Sequence, residues 1–212
     1  MLKKTGLIVV AVLAAASLAT ASSRLSFGVK AGLNAANMVS PDSDLVWSAR
    51  WLPAFGAFVA YSLGDSWALQ AELLYAPKGA QATETDGTTT ITSTVSAKYI
   101  DIPVLVKYLI PTGAAGGLRP CLFAGPYLGF KTAGTLTTET AAGGETETSE
   151  DTLTGLKGTD IGFVLGAGVG LPLAKAELSF DLRLTSSLGT ISTIGDTTRN
   201  KVWTFLVGIA FN

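Results

Sequence analysis

The 212-residue sequence contains no histidine and a single cysteine, Cys121. Without histidine there is no Ser-His-Asp triad, no His-activated nucleophile and no His-ligated metal. Membrane-barrel lipases, acyltransferases and proteases generally rely on that residue, so the chain reads as a non-enzyme, with no cofactor and no metal. One cysteine cannot close an intramolecular disulfide, and a small buried side chain is its expected role. Charged residues make up only 15% of the chain, and without Lys3 and Lys4 the 15 basic residues become 13 against 16 acidic ones, a net charge of −3. That balance gives no support for a nucleic-acid partner. Beyond residue 21, no run approaches the roughly 20 apolar residues a membrane-spanning helix needs.

What is present begins with a leader. Lys3 and Lys4 precede an apolar run, Leu7 to Leu18, and Ala19-Thr20-Ala21 follows as a small-residue cleavage pattern. Residues 1–21 therefore read as a secretory signal peptide, with the mature domain, 22–212, starting at Ser22. No cysteine follows the cleavage site to carry a lipid anchor.

From there the chain alternates large and small residues with period two, the mark of β-strands with two unlike faces. Eight strands are expected: 24–34, 51–63, 67–78, 98–110, 118–132, 160–171, 175–185 and 201–212. The last is the clearest, with Trp203, Phe205, Val207, Ile209 and Phe211 on one face. Connections alternate long and short. Residues 79–96 and 133–158 read as long polar loops, the second made acidic by Glu139, Glu145, Glu147, Glu150 and Asp151. A solvated face is the expected role of that acidic loop.

Alternation alone fits a soluble lipocalin-like barrel as well as a membrane barrel, with the faces exchanged. The more polar face is rich in Gly, Ala and Ser, which suits the narrow lumen of an eight-stranded barrel. On the apolar face, Tyr61, Trp67, Tyr108 and Phe211 fall near one rim and Trp51, Tyr75, Phe130 and Trp203 near the other, as membrane-interface aromatics do. The reading is an all-β, eight-stranded antiparallel up-and-down transmembrane barrel. Charges on its inward face need partners. Lys30, Glu72, Asp101, Lys107, Arg119, Glu177, Asp181 and Arg183 are expected to form a lumenal network, with Lys78, Lys131 and Asp160 at the higher levels. The rival is a narrow small-solute or ion channel lined by the same charges.

Pro53, Pro77 and Pro120 are placed near strand ends, and Pro103 and Pro126 inside strands, where bulges or weakened pairing are expected. The glycine spacing at Gly162, Gly166, Gly168 and Gly170 lacks the helix a phosphate-binding loop requires. A smooth inner wall that admits bulky neighbours explains it better.

Several segments together resemble a known family: Phe27-Gly-Val-Lys-Ala-Gly-Leu-Asn34, Leu69-Gln-Ala-Glu-Leu-Leu-Tyr75 with Lys78-Gly79, Tyr99-Ile-Asp-Ile-Pro-Val-Leu-Val-Lys-Tyr108, Arg119-Pro120 with Ala124-Gly-Pro-Tyr127, and Gly166-Ala-Gly168. The chain resembles the PorT-like outer-membrane β-barrel proteins of the Bacteroidetes and, more distantly, the OmpA/OmpX-type small barrels. The resemblance implies a bacterial outer-membrane barrel with Pro103 and Pro126 as recurrent features. The expected function is structural or interactive: a monomer with a filled lumen and long surface loops that hold a partner. Its other partners are outer-membrane lipids and, during biogenesis, the barrel-assembly machinery, although the usual terminal aromatic is here penultimate, Phe211 before Asn212.

Overall fold

The computed structural model describes residues 24–39, 48–112, 117–193 and 197–211. The expected signal peptide at 1–21, the expected loop residues 40–47 and Asn212 lie outside the described residues. Ten strands are present among those described: β1 (Leu25–Val39), β2 (Ser48–Ser62), β3 (Trp67–Tyr75), β4 (Lys78–Asp86), β5 (Thr89–Leu109), β6 (Arg119–Ala142), β7 (Glu145–Thr152), β8 (Thr159–Pro172), β9 (Ala176–Ser187) and β10 (Arg199–Phe211). All their pairings are antiparallel.

β3 and β4 are one wall strand broken at Ala76-Pro77, and β7 is a side branch on β6, so the closed ring has eight members. It runs β1, β2, β3/β4, β5, β6, β8, β9, β10 and back to β1. The closing seam pairs Phe27 with Phe211 at one end and Val39 with Arg199 at the other.

The two expected long loops are largely strand. Residues 79–96 form the upper parts of β4 and β5, joined by a tight hairpin at Gly87 (φ +57°). Residues 133–158 contain the upper part of β6 and all of β7, joined by Gly143 and Gly144, both at positive φ. Threonine, β-branched and stiff at χ1, favours the extended chain even where little is buried. The result is a four-stranded sheet, β4-β5-β6-β7, standing above the rest of the wall. Its base is packed, with Ala80, Ala82 and Val95 buried, contrary to the expectation of a free loop.

Pro53 sits inside β2, not at its end, paired with Leu33. The β2 ladder to the next wall strand covers Phe55 to Ser62, then resumes at Ala49 and Ser48 with the register shifted by one. Pro53 falls in that interruption, on β2, and Pro77 in the break between β3 and β4. Around Pro103 the ladder to β3 skips Ile102 and Pro103, and the ladder to β6 skips Val104 and Leu105. Pairing there is weakened as expected, but the register does not shift. The bulge in this pair lies higher, where Tyr99 pairs with Lys131 and Lys98 with Ala133, leaving Thr132 extra.

The apolar face points outward. Phe27, Leu33, Phe55, Trp67, Leu122, Phe163, Leu182 and Phe205 are exposed, while Lys30, Glu72, Lys78, Asp160, Asp181 and Arg183 are buried. A water-soluble barrel would show the reverse, because exposed apolar wall has no favourable contact with water.

Candidate functional site

The centre of the lumen is a buried ion-pair cluster. Period two turns Lys30 on β1, Glu72 on β3, and Asp181 and Arg183 on β9 inward. Lys30 Nζ lies 3.0 Å from Glu72 Oε1 and 2.5 Å from Asp181 Oδ2, and Arg183 Nη1 donates to Glu72 Oε2 at 2.6 Å. The four formal charges cancel, which offsets the large cost of removing each from water. Gln70 donates to Glu72 and accepts from Lys107 Nζ at 3.3 Å, tying a lower cation to the same cluster. Beside it lies an apolar cluster on β5, β6 and β8, formed by Leu105, Cys121, Phe123, Tyr127 and Val164.

A second cluster stands above. Lys78 Nζ is 3.0 Å from both Asp101 Oδ2 and Asp160 Oδ2, and lies 4.6 Å from the Tyr99 ring centre and 4.5 Å from that of Tyr127. Tyr127 Oη donates to Asp160 Oδ2 at 2.9 Å, and Asn200 Nδ2 donates to the same oxygen at 2.8 Å. The aromatic faces add cation–π attraction to an ammonium already held by two carboxylates.

An apolar cap covers both. Met38, Ala80, Val95 and Ile191 are buried together, with Leu136, Leu153 and Leu156 packed on them. Hydrogen bonds sew the capping loops in place: Lys157 N–H to Ile191 O at 2.8 Å, Thr193 N–H to Gly155 O at 2.9 Å, and Leu153 N–H to Gly134 O at 3.0 Å.

Of the residues expected in the lumenal network, Lys30, Glu72, Asp101, Asp181 and Arg183 lie in these two clusters. Lys107 reaches them through Gln70 instead of a carboxylate, and its ammonium lies 5.9 Å from the Phe123 ring centre. Arg119 and Glu177 pair with each other at 3.3 Å, but at the rim, with side chains 56% and 29% exposed. They are surface residues because the ring ends there and water replaces the missing wall. Among the described residues Lys131 pairs with no carboxylate; its Nζ donates to the carbonyls of Leu153 and Leu156, fastening the cap. The Phe58 ring centre lies 4.9 Å from Lys30 Nζ; it, Gln70, Asn200, Tyr99 and Tyr127 carry no formal charge, so a pattern of inward charges does not find them.

The glycines explain how the rings fit. A Cβ on Gly162 would lie 2.4 Å from the Tyr127 ring, one on Gly166 2.5 Å from the Phe123 ring, and one on Gly168 2.3 Å from Asp181. Each glycine leaves the space its neighbour fills.

The exposed aromatics form two levels on the outer wall. Trp51 and Trp203 both pair with Ala35, and Tyr75 and Phe130 both pair with Ile100, so each pair flanks one residue of the strand between them. At the other end Trp67 pairs with Tyr108, ring centres 4.8 Å apart, Phe27 with Phe211 at 6.1 Å, and Tyr61 with Leu25.

Comparison with known proteins agrees with this architecture. The family profile described as outer membrane protein beta-barrel domain matches residues 15–193. Similar solved structures include OprG, an outer membrane protein of Pseudomonas aeruginosa (14% identity, 88% of this chain and 94% of that one, TM-score 0.48). Neisserial surface protein A is another (16%, 86% and 96%, 0.45). So is Ail, the attachment invasion locus protein of Yersinia pestis (10%, 89% and 99%, 0.43). No curated protein matches the chain.

Proposed function

The chain belongs to the outer membrane protein beta-barrel domain family, and from that premise we propose that it is a plugged, monomeric barrel of the PorT-like group that holds a tall surface sheet for partners. It is a protein of the bacterial outer membrane, with short turns on the periplasmic side and the long elements outside.

The observation that carries the plugged reading is the pairing of Arg183 with Glu72 across the lumen. β9 and β3 stand opposite each other in the eight-membered ring, so this bond spans the full width. Lys30 fills the space beside it, and the apolar cap adds a second seal. A channel of useful conductance needs a continuous wet path, which two charge clusters and an apolar cap oppose.

Planar-bilayer recording tests this. The purified barrel is expected to give no steady conductance; a stable, sizeable open level would favour the narrow channel instead. The absence of histidine supports a non-enzymatic role. The aromatic levels support lipid as the wall's partner, and the alternating β10 ending at Phe211 is the segment the assembly machinery would read. For active function the β4-β5-β6-β7 sheet is the natural surface, since a rigid wall holds it clear of the membrane.

A further inference from the structure

We infer that the inner face of the β4-β5-β6-β7 sheet is a docking groove for a cationic amphipathic helix. The inference rests on the reading that this sheet holds a partner, and adds which face it uses and the chemistry of what it holds.

Period two gives the sheet an inner and an outer face, and its base shows which is which. Ala80 pairs with Val95 and Val95 with Leu136, and all three pack in the apolar cap. Residues two, four and six positions nearer the hairpins share their side. The next row up is Ala82, Ser93, Thr138 and Ser149, and the one above it Glu84, Ile91, Thr140 and Glu147. At the top Asp86 pairs with Thr89, and Ala142 with Glu145. Asp151 joins the lowest row, opposite Leu136.

Acids on this face fall only on the two flanking strands. Glu84 and Asp86 stand on β4, and Glu145, Glu147 and Asp151 on β7. All five are exposed, and none forms an ion pair among the described residues. Above the buried Lys78, no basic residue lies on the inner face of the four strands. Two columns of one sign raise a negative potential over the space between them.

That space is an uncharged lane of Ser, Thr and Ala with Ile91 at its centre. Ile91 is 40% exposed, between Glu84 and Thr140, and the lane runs down into the apolar cap. Burying such a side chain against an apolar partner is favourable. The outer face lacks this arrangement: its rows Gln81-Thr94-Thr137-Glu150 and Thr83-Thr92-Glu139-Thr148 carry one acid each, and no pair of acids brackets an apolar residue.

Width selects the shape of the occupant. β4 and β7 are three strand spacings apart, about 14 Å. A helix with its side chains is about 10–12 Å across, so one helix fills the lane. Its apolar stripe meets Ile91 and the cap, while lysines or arginines on its flanks reach the two acidic columns. From Ala80 to Asp86 the lane is about 20 Å long, which roughly three to four helical turns cover.

The test uses the folded full-length protein in neutral maltoside micelles, with empty micelles as the blank. The probe is a fluorescent Lys-Leu peptide of about fourteen residues whose leucines share one helical face. A second peptide has the same composition in scrambled order. Binding is read as anisotropy, and heat-modified gel migration checks that each variant is folded. The inner pair Glu84→Gln/Glu147→Gln and the outer pair Glu139→Gln/Glu150→Gln remove the same charge from the same sheet. Wild type should prefer the amphipathic peptide. The inner pair should weaken its binding about ten-fold and the outer pair about two-fold or less. Ile91→Thr should narrow the gap between the two peptides. Equal losses in the inner and outer pairs would mean that net charge alone attracts the peptide, and would overturn the inference, as would equal affinity for both peptides. Wild type that binds neither peptide overturns it as well, and leaves the plugged barrel standing. Steady conductance across a planar bilayer overturns the plugged barrel whatever the peptides do.

Discussion

Arg183 on β9 donates to Glu72 on β3 at 2.6 Å, joining strands on opposite sides of the ring, and both side chains are 5% exposed or less. Residues 111 positions apart are thereby held in one bond. Glu72 also holds Lys30, so a single carboxylate balances two buried cations from two other strands.

Replacing Glu72 with Ala should therefore be among the costliest single changes in the lumen. It leaves Lys30 and Arg183 facing only Asp181, and breaking a buried pair costs about 3–5 kcal/mol. Urea unfolding of the folded barrel in lipid should show the loss. The double replacement Glu72→Gln/Arg183→Met, which removes one charge of each sign, should cost less than the two single changes together.

Gly166→Val should destabilise by overpacking. Even a Cβ there would lie 2.5 Å from the Phe123 ring and 2.7 Å from the Leu182 carbonyl oxygen. Inserting methyl groups into packed space costs about 1–3 kcal/mol. Shrinking the ring with Phe123→Leu in the same chain should recover part of the loss, read as a shift in the urea midpoint.

Ile191→Asn places an amide in the apolar cap beside Met38, Ala80 and Val95. The cap loops should loosen while the ring stays closed. Limited proteolysis should then cut within 153–158 at least several-fold faster, with the heat-modified shift unchanged. Loss of that shift would mean that cap and ring fold as one unit.

Trp67→Ala removes a ring packed 4.8 Å from Tyr108 at the short-turn end of the wall. Aromatic pairs contribute about 0.5–1.5 kcal/mol beyond buried area. A loss of that size or somewhat more is expected in lipid, measured by unfolding in vesicles.

How much of this could be read without coordinates follows from contrast between faces. In β10 and β8 the apolar face is nearly continuous, and the eight wall strands follow from alternation, while their outward face follows from the aromatic rows on one side and the small residues on the other. Above the membrane that contrast vanishes. Residues 83–94 and 135–148 are mostly Thr and Glu with few apolar side chains, among them Ile91 and Leu136, so both faces are largely polar and period two is faint. The surviving signal was local: Gly143-Gly144 supplies the two positive φ values of a tight hairpin.

The lumen divides the same way. Inward parity determined that Lys30, Glu72, Asp181 and Arg183 face the interior, and the sign balance required that they meet. Which cation takes which carboxylate depends on strand stagger, which shifts one wall against its neighbour and does not appear in the order of residues. Stagger places Arg183 against Glu72 across the ring. The position of the ring's end, likewise tertiary, puts Arg119 and Glu177 at the rim in water. The sequence by itself determined eight wall strands, because alternation is a local property, and the aromatic rows on their apolar side marked that side as the outer one. Only the tertiary structure decided that the wall rises into a threonine sheet and that two ion-pair clusters and an apolar cap meet inside it, because both depend on partners brought together from distant strands.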